Sequence, residues 1–132
     1  MSRSFLLYAD GGSRGNPGEA AFGAVISESG KVIVELSERI GIATNNVAEY
    51  SALIAGLRAI NKLDPQARVL VRMDSKLIVE QMSGKWKIKN PEMRKMALQA
   101  REAHAPERVE YEWIPREMNS DADSLVNLAL DS

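Results

Sequence analysis

Two compact apolar runs, residues 5–9 and 68–73, each end on an aspartate, Asp10 and Asp74. Runs of that length bounded by turn formers read as buried strands. Between them, residues 46–63 place Val47, Tyr50, Leu53, Ile54, Leu57 and Ile60 at helical spacing, and Asp64-Pro65 closes the helix. A crossover of this kind is right-handed and leaves its two strands parallel. Asp10 and Asp74 are therefore expected at the same end of neighbouring strands, the end where open α/β sheets collect their ligands.

The rest of the chain fits around that frame. Gly11-Gly12-Ser13-Arg14-Gly15-Asn16-Pro17-Gly18 is dense in turn formers and reads as a loop after a strand that stops at Asp10. Residues 21–27 and 31–40 read as strands joined by a turn at Glu28-Ser29-Gly30. Residues 75–82 form a short expected helix, Ser83-Gly84 breaks it, and 85–90 make a basic loop. Pro91 opens another helix that reaches about residue 103. Residues 109–113 alternate as a strand, 115–119 form a loop, and 120–130 a last helix. The order β-β-β-α-β-α-α-β-α predicts an α/β fold with one mixed sheet of five strands. The first three strands are antiparallel, the later two run parallel to the first, and helices flank the sheet.

The 132 residues suit a single domain spanning 1–132, large enough to bury a core without staples. Cysteine is absent, which excludes disulfides and Cys-ligated zinc. The apolar start is too short for a signal peptide or a membrane span, so a cytoplasmic location is expected. Net charge is −1, which argues mildly against a nucleic-acid binder. Residues 76–95 nevertheless carry six basic side chains against two glutamates, a local balance of +4, with Trp86 among them. Phosphates are met by a face and not by an average.

Four acids fall at junctions: Asp10 after strand one, Glu49 in the first turn of the long helix, Asp74 after strand four, and Asp123 in the first turn of the last helix. Each has a local alternative. Asp10 can be a turn residue before Gly-Gly. Asn46-Val47-Ala48-Glu49 matches a capping box, Asp74 can cap the next helix, and Ser120-Asp121-Ala122-Asp123 looks like a cap. Taken together, they predict a shared cleft in which carboxylates would repel one another. Divalent metal relieves that, and hard oxygen ligands without His or Cys suit Mg²⁺ or Mn²⁺. Two such ions roughly 4 Å apart can activate water and stabilise the leaving oxygen of a phosphodiester.

The strings are more specific than the spacing. Tyr8-Ala9-Asp10-Gly11-Gly12-Ser13-Arg14-Gly15-Asn16-Pro17-Gly18 resembles the signature first strand and loop of type 1 ribonuclease H. Thr44-Asn45-Asn46-Val47-Ala48-Glu49 resembles its Thr-Asn-Asn-x-x-Glu motif, and Asp74-Ser75 its Asp-Ser motif. Asn119-Ser120-Asp121-Ala122-Asp123-Ser124-Leu125 resembles its closing Asn-x-x-Ala-Asp-x-Leu motif, after Trp113-Ile114-Pro115-Arg116. The resemblance spans nearly the whole chain. It implies strand order 3-2-1-4-5 and two Mg²⁺ held by Asp10, Glu49, Asp74 and Asp123, with Mn²⁺ able to substitute. It implies hydrolysis of the RNA strand of an RNA–DNA hybrid, giving 5′-phosphate and 3′-hydroxyl ends.

The same resemblance implies substrate contacts at Asn16, Thr44, Asn45 and Asn46, with turn and cap duty as the alternative; Gly11, Ser75, Lys76, Arg116 and Asn119 are further candidate contacts, Arg116 alternatively being a surface charge. Amides, hydroxyls and Gly-rich backbone N–H groups can bond phosphates and 2′-hydroxyls. Trp86 and Lys87 fit the DNA strand, as an aromatic on a basic loop; the alternative is a solvated loop with Trp86 closing the core edge. The chain departs from the family in two places. Gly84-Lys85-Trp86-Lys87-Ile88-Lys89-Asn90-Pro91 looks like a shortened form of a longer basic protrusion. The loop Pro115-Arg116-Glu117-Met118 lacks the mobile His of many members, and Arg116 can fill part of its role by meeting a phosphate. His104 is expected as a surface or helix-end residue, outside catalysis. Met82, Met93, Met96 and Trp113 are expected in the core.

A monomer is expected, acting on hybrids, with double-stranded RNA as a further substrate of some relatives and a phosphatase-like domain fused in others. The rival readings are an integrase-like or junction-resolving enzyme of the same fold, a silent nucleic-acid-binding module, and a plain globular domain whose acids are caps.

Overall fold

The computed structural model describes residues 3–132. Five strands form one sheet: β1 (Ser4–Gly15), β2 (Gly18–Glu28), β3 (Lys31–Ala43), β4 (Arg68–Met73) and β5 (Val109–Trp113), in the order β3-β2-β1-β4-β5. β1, β2 and β3 are antiparallel neighbours, and β4 and β5 run parallel to β1. The expected architecture and order hold. The helices are α1 (Asn45–Leu63), α2 (Lys76–Met82), α3 (Pro91–Ala103) and α4 (Ser120–Leu130), with short 3-10 turns before β5 and before α4.

Side-chain alternation sorts the layers. Phe5, Leu7 and Ala9 of β1 are buried in the main core with Tyr50, Leu53, Leu57 and Ile60 of α1. Met82 and Met93 are buried there and Met96 packs against it, as expected. On the opposite face α4 packs Val126, Ala129 and Leu130 on Ala21. β2, covered on both faces, is buried continuously over residues 20–26. The edge strand β3 turns Val34, Leu36 and Ile40 to the core and exposes charged Lys31, Glu38 and Arg39, which blunts the edge.

The first strand differs from expectation. It does not stop at Asp10 but runs to Gly15, and residues 11–15 pair in register with residues 22–18 of β2. Local turn preference yields to the ladder, because small residues on both strands let the hairpin close at Asn16-Pro17. β2 begins at Gly18 and β3 ends at Ala43, each longer than expected for the same reason.

Two glycines set how closely the helices approach. A Cβ on Gly11 would stand 2.2 Å from the Ala48 carbonyl carbon and 2.4 Å from the Glu49 nitrogen. A Cβ on Gly23 would stand 2.3 Å from the Ala122 carbonyl oxygen. Gly23 is the antiparallel partner of Asp10. α1 and α4 thus meet the sheet backbone-to-backbone, one on each face, within one residue of Asp10.

Gly11→Ala is expected to push α1 from β1 and lower stability by roughly 1–3 kcal/mol. Gly12→Ala, whose Cβ would meet only Val126 at 3.7 Å, should cost less than half as much. Urea unfolding midpoints of the two variants check this, and equal losses would mean that the close approach is not the cause.

Candidate active site

Register carries two acids to one place. β1–β4 pairing ends at Tyr8↔Arg72, and Asp10 and Asp74 each follow two residues later. There the strands part: β1 continues along β2, while Met73 pairs with Trp113 of β5. Glu49 comes from α1 and Asp123 from α4, the two helices admitted by Gly11 and Gly23. All four acids line a cleft of about 490 Å³, together with Gly11, Asn45, Asn46 and Arg116.

None of the four does the local duty that its sequence context suggested. The cap of α1 is Thr44, whose hydroxyl accepts from the Val47 N–H at 3.2 Å. The helix therefore starts one residue earlier than expected, Glu49 sits in the second turn rather than the first, and the Asn46–Glu49 capping box does not form. Ser75, not Asp74, caps α2 by accepting from the Ile78 N–H at 3.3 Å. No side chain caps α4. Asp10 lies within a strand and forms no turn.

The acids strain one another electrostatically. Burial, then the charges of Asp74, Glu49 and Asp123, push Asp10 up to about 8, and a side-chain hydrogen bond with Asp123 adds to this. Burial pushes Glu49 up to about 7; the Ser75 hydroxyl opposes this and the Asp74 charge reinforces it. Among the described residues, no three acids already stand at the spacing of one ion's ligand shell. The carboxylates share a cleft rather than a point. The donor set is all oxygen with clustered negative charge, which fits a hard divalent cation.

Asp74 is held from its neighbours. Asn119, expected as a substrate contact, is 2% exposed and so faces no substrate. Its Nδ2 donates to the Ala9 carbonyl at 3.0 Å and to Asp74 Oδ1 at 2.7 Å. Trp113, expected in the core, is 47% exposed because β5 ends there, and its indole N–H donates to the Asp74 carbonyl at 3.1 Å. Sequence reasoning missed both supports, since neither partner is near in the chain. It also missed Gly23, which an isolated glycine inside a strand could have signalled.

The remaining candidates divide. Asn16 Oδ1 accepts from the Asn45 N–H at 3.1 Å, and Asn45 Oδ1 accepts from the Ser13 N–H at 2.8 Å. This clasp ties the β1–β2 hairpin to the start of α1 and uses both amide oxygens. Gly11, Asn46 and Arg116 border the acids directly. Arg14 is engaged by Asp131, whereas Arg116 is exposed and forms no ion pair among the described residues. Ser75 and Lys76 follow Asp74 at the head of α2. Trp86 and Lys87 lie on a separate exposed loop outside the cleft lining, so Trp86 does not close the core edge. His104 takes the helix-end alternative, at the end of α3, and is buried there. Its Nε2 meets the Ala67 carbonyl at 2.7 Å and its Nδ1 the Asn61 amide at 3.1 Å, which ties α3 to α1 and to the start of β4.

The "Reverse transcriptase-like" family model matches residues 8–129. The chain is 51% identical to the Bifunctional protein Rv2228c of Mycobacterium tuberculosis, over 96% of this chain and 35% of that protein. The N-terminal RNase H domain of that protein, solved as a fusion with maltose-binding protein, superposes with a TM-score of 0.91 at 50% identity, over 97% of this chain and 99% of that one. Ribonuclease HI of Halobacterium salinarum is 42% identical, over 94% of this chain and 63% of that enzyme. LC11-RNase H1, solved with an RNA/DNA hybrid, superposes with a TM-score of 0.89 at 42% identity and covers 96% of both chains. The chain spans about a third of the length of the first curated relatives it matches. With the motifs, the strand order and these likenesses in agreement, the chain belongs to the type 1 ribonuclease H family.

Proposed function

We propose that this chain is an endoribonuclease that hydrolyses the RNA strand of RNA–DNA hybrids, leaving 5′-phosphate and 3′-hydroxyl ends. The observation that carries the reading is the convergence of Asp10, Glu49, Asp74 and Asp123 on one cleft while other residues do the capping. A relative bound to an RNA/DNA hybrid and relatives named ribonuclease H support the substrate class. The reading extends to a cytoplasmic monomer and to a further domain, phosphatase-like, in a longer protein; a relative named bifunctional supports the presence of a second domain.

The four acids would hold two Mg²⁺, with Mn²⁺ as a substitute. When bound, these ions supply Lewis acidity and charge neutralisation at the scissile phosphate. The chain's own groups bind and orient. The clasp occupies the amide oxygens of Asn16 and Asn45 and leaves their N–H₂ donors without internal partners among the described residues. With Asn46, Thr44, Ser75 and the Gly11 backbone, they can meet phosphate oxygens and 2′-hydroxyls of the RNA strand. Lys76, Lys87 and the exposed ring of Trp86 suit the backbone and a sugar or base of the DNA strand. Arg116, an unpaired cation at an acidic cleft, suits a phosphate oxygen beside the cut. Water attacks phosphorus in line and gives up a proton to solvent, the P–O3′ bond breaks, and the departing O3′ takes a proton from solvent. The 2′-hydroxyl marks the strand as RNA and takes no part as nucleophile.

Asp10→Asn and Asp74→Asn should each reduce cutting to the metal-free background while the far-UV circular dichroism stays parental. The assay is a labelled hybrid beside matched DNA and RNA duplexes, with and without Mg²⁺. Near-parental rates in either variant would sink the site assignment, and cutting of duplex DNA would favour the integrase-like rival. Arg116→Ala should slow turnover, but less than an acid substitution does; an equal loss would place Arg116 among the reacting groups.

A pH dependence follows from Asp10. Its folded value of about 8 lies above the ordinary 3.8, so the folded metal-free chain binds more protons than the unfolded one between those values. Stability should then fall as pH rises across that window, by roughly 1–3 kcal/mol after screening. Urea titrations in EDTA at pH 5 and pH 8 measure it. Asp10→Asn should flatten the slope, and Mg²⁺ should restore stability at pH 8. A parental slope in Asp10→Asn would show that another group is responsible.

A further inference from the structure

We propose that Trp113 and Asn119 are positioning residues for Asp74, and that the segment joining β5 to α4 acts as a bracket that fixes this acid relative to Asp10. The inference rests on the reading of the four acids as one site and adds residues that touch neither ion nor substrate.

Asp74 is gripped at three points. The Ile114 N–H donates to the Met73 carbonyl at 2.9 Å, immediately before it. The Trp113 indole donates to its own carbonyl, and Asn119 to its Oδ1. Oδ2 is left as the oxygen free for the cleft. Asn119 also donates to the Ala9 carbonyl, the residue before Asp10. One amide nitrogen, with two hydrogens, thus spans the gap opened where β1–β4 pairing ends and ties Asp74 to the strand that carries Asp10. The amide cannot turn over, because its oxygen would then face two acceptors.

Core packing explains neither residue. Asn119 Oδ1 is buried without a partner. An unsatisfied buried acceptor carries a desolvation cost that an apolar residue at this position would avoid. Trp113 leaves 47% of itself exposed and adds little to the core. Lys76, which follows Asp74 by two residues, places its ammonium 6.0 Å from the Trp113 ring centre and so links α2 to the same bracket. Partners that orient a metal-binding side chain are the residues whose loss weakens metal affinity without touching the ion.

The test is calorimetric Mn²⁺ binding to the whole chain without hybrid. Trp113→Phe keeps the ring and removes the donor; Asn119→Ala removes the bridge. Each should weaken Mn²⁺ binding by about tenfold. Hybrid binding in EDTA should stay parental, and kcat should fall with KM for hybrid unchanged. In an Asp74→Asn background, Trp113→Phe should weaken Mn²⁺ binding no further, since both changes act through one side chain. If Asn119→Ala fails to fold, the surface variant Trp113→Phe carries the result. A Trp113→Phe isotherm identical to the parent overturns the proposal, as does a defect confined to hybrid affinity, which would make Trp113 a substrate contact. A parent that binds Mn²⁺ but cuts nothing overturns the nuclease reading and leaves this test readable. A parent that binds no Mn²⁺ overturns both.

Discussion

The approach of two helices to the sheet backbone at Gly11 and Gly23 is the constraint on which the site depends. An ordinary Cβ at either position would collide with helix main chain. Side chains normally stand between a helix and the sheet it covers and keep the two backbones apart. Removing the Cβ on each face brings Glu49 in from α1 and Asp123 in from α4. Asp10, paired with Gly23 and adjacent to Gly11, lies where both approaches occur. The rest of the sheet delivers the fourth acid by parallel register alone, because Asp74 continues β4 as Asp10 continues beyond the last β1–β4 pair.

This concentration of carboxylates works against the fold. Burial and mutual repulsion raise Asp10 and Glu49 well above the ordinary carboxylate range. The chain offsets the cost elsewhere: Tyr50, Leu53, Leu57 and Ile60 anchor α1 in the main core, and the Asn16–Asn45–Ser13 clasp secures its first turn. α4 has a smaller apolar anchor, Val126, Ala129 and Leu130 on Ala21. It is helped by the Ser37 hydroxyl, which donates to the Leu125 carbonyl at 2.6 Å, and by the Arg14–Asp131 pair. The exposed ion pair contributes little. The weakly anchored acid-bearing element is therefore α4, which carries Asp123.

The sequence made some parts legible and not others for definable reasons. β4, α3, β5 and α4 have the boundaries expected of them because prolines, glycines and an uninterrupted apolar run punctuate them locally. β1 was misread past Asp10 because Gly-Gly-Ser-Arg-Gly has turn chemistry, while the force that extends it comes from β2, a distant partner. The four acids were legible as a set because they fall at element ends. Their lack of capping duty was not, since Thr44 and Ser75 win the caps through hydroxyl geometry that spacing does not fix. The burial of His104 and the exposure of Trp113 both depend on partners distant in the chain. A lone polar residue before Ala-Pro reads as surface, yet Ala67 and Asn61 satisfy both ring nitrogens; an aromatic at a strand end reads as core, yet the strand stops before anything covers it.

Asn119 shows why a motif can identify a residue and misassign its work. The closing string marks it as one of the chain's informative positions, and an asparagine beside acids near a nucleic acid invites a base or phosphate contact. Burial removes that option. What remains is an amide with two hydrogens directed at a main-chain carbonyl of one strand and a carboxylate beyond the next. Aspartate there would add a fifth negative charge to the cluster, and leucine would leave Asp74 free to rotate away from its neighbours' repulsion. A neutral donor of this length satisfies both demands, and its own unpaired oxygen is the residual cost. The geometry of the acid cluster is thus held by a residue whose two donor bonds come with an unpaired oxygen of its own.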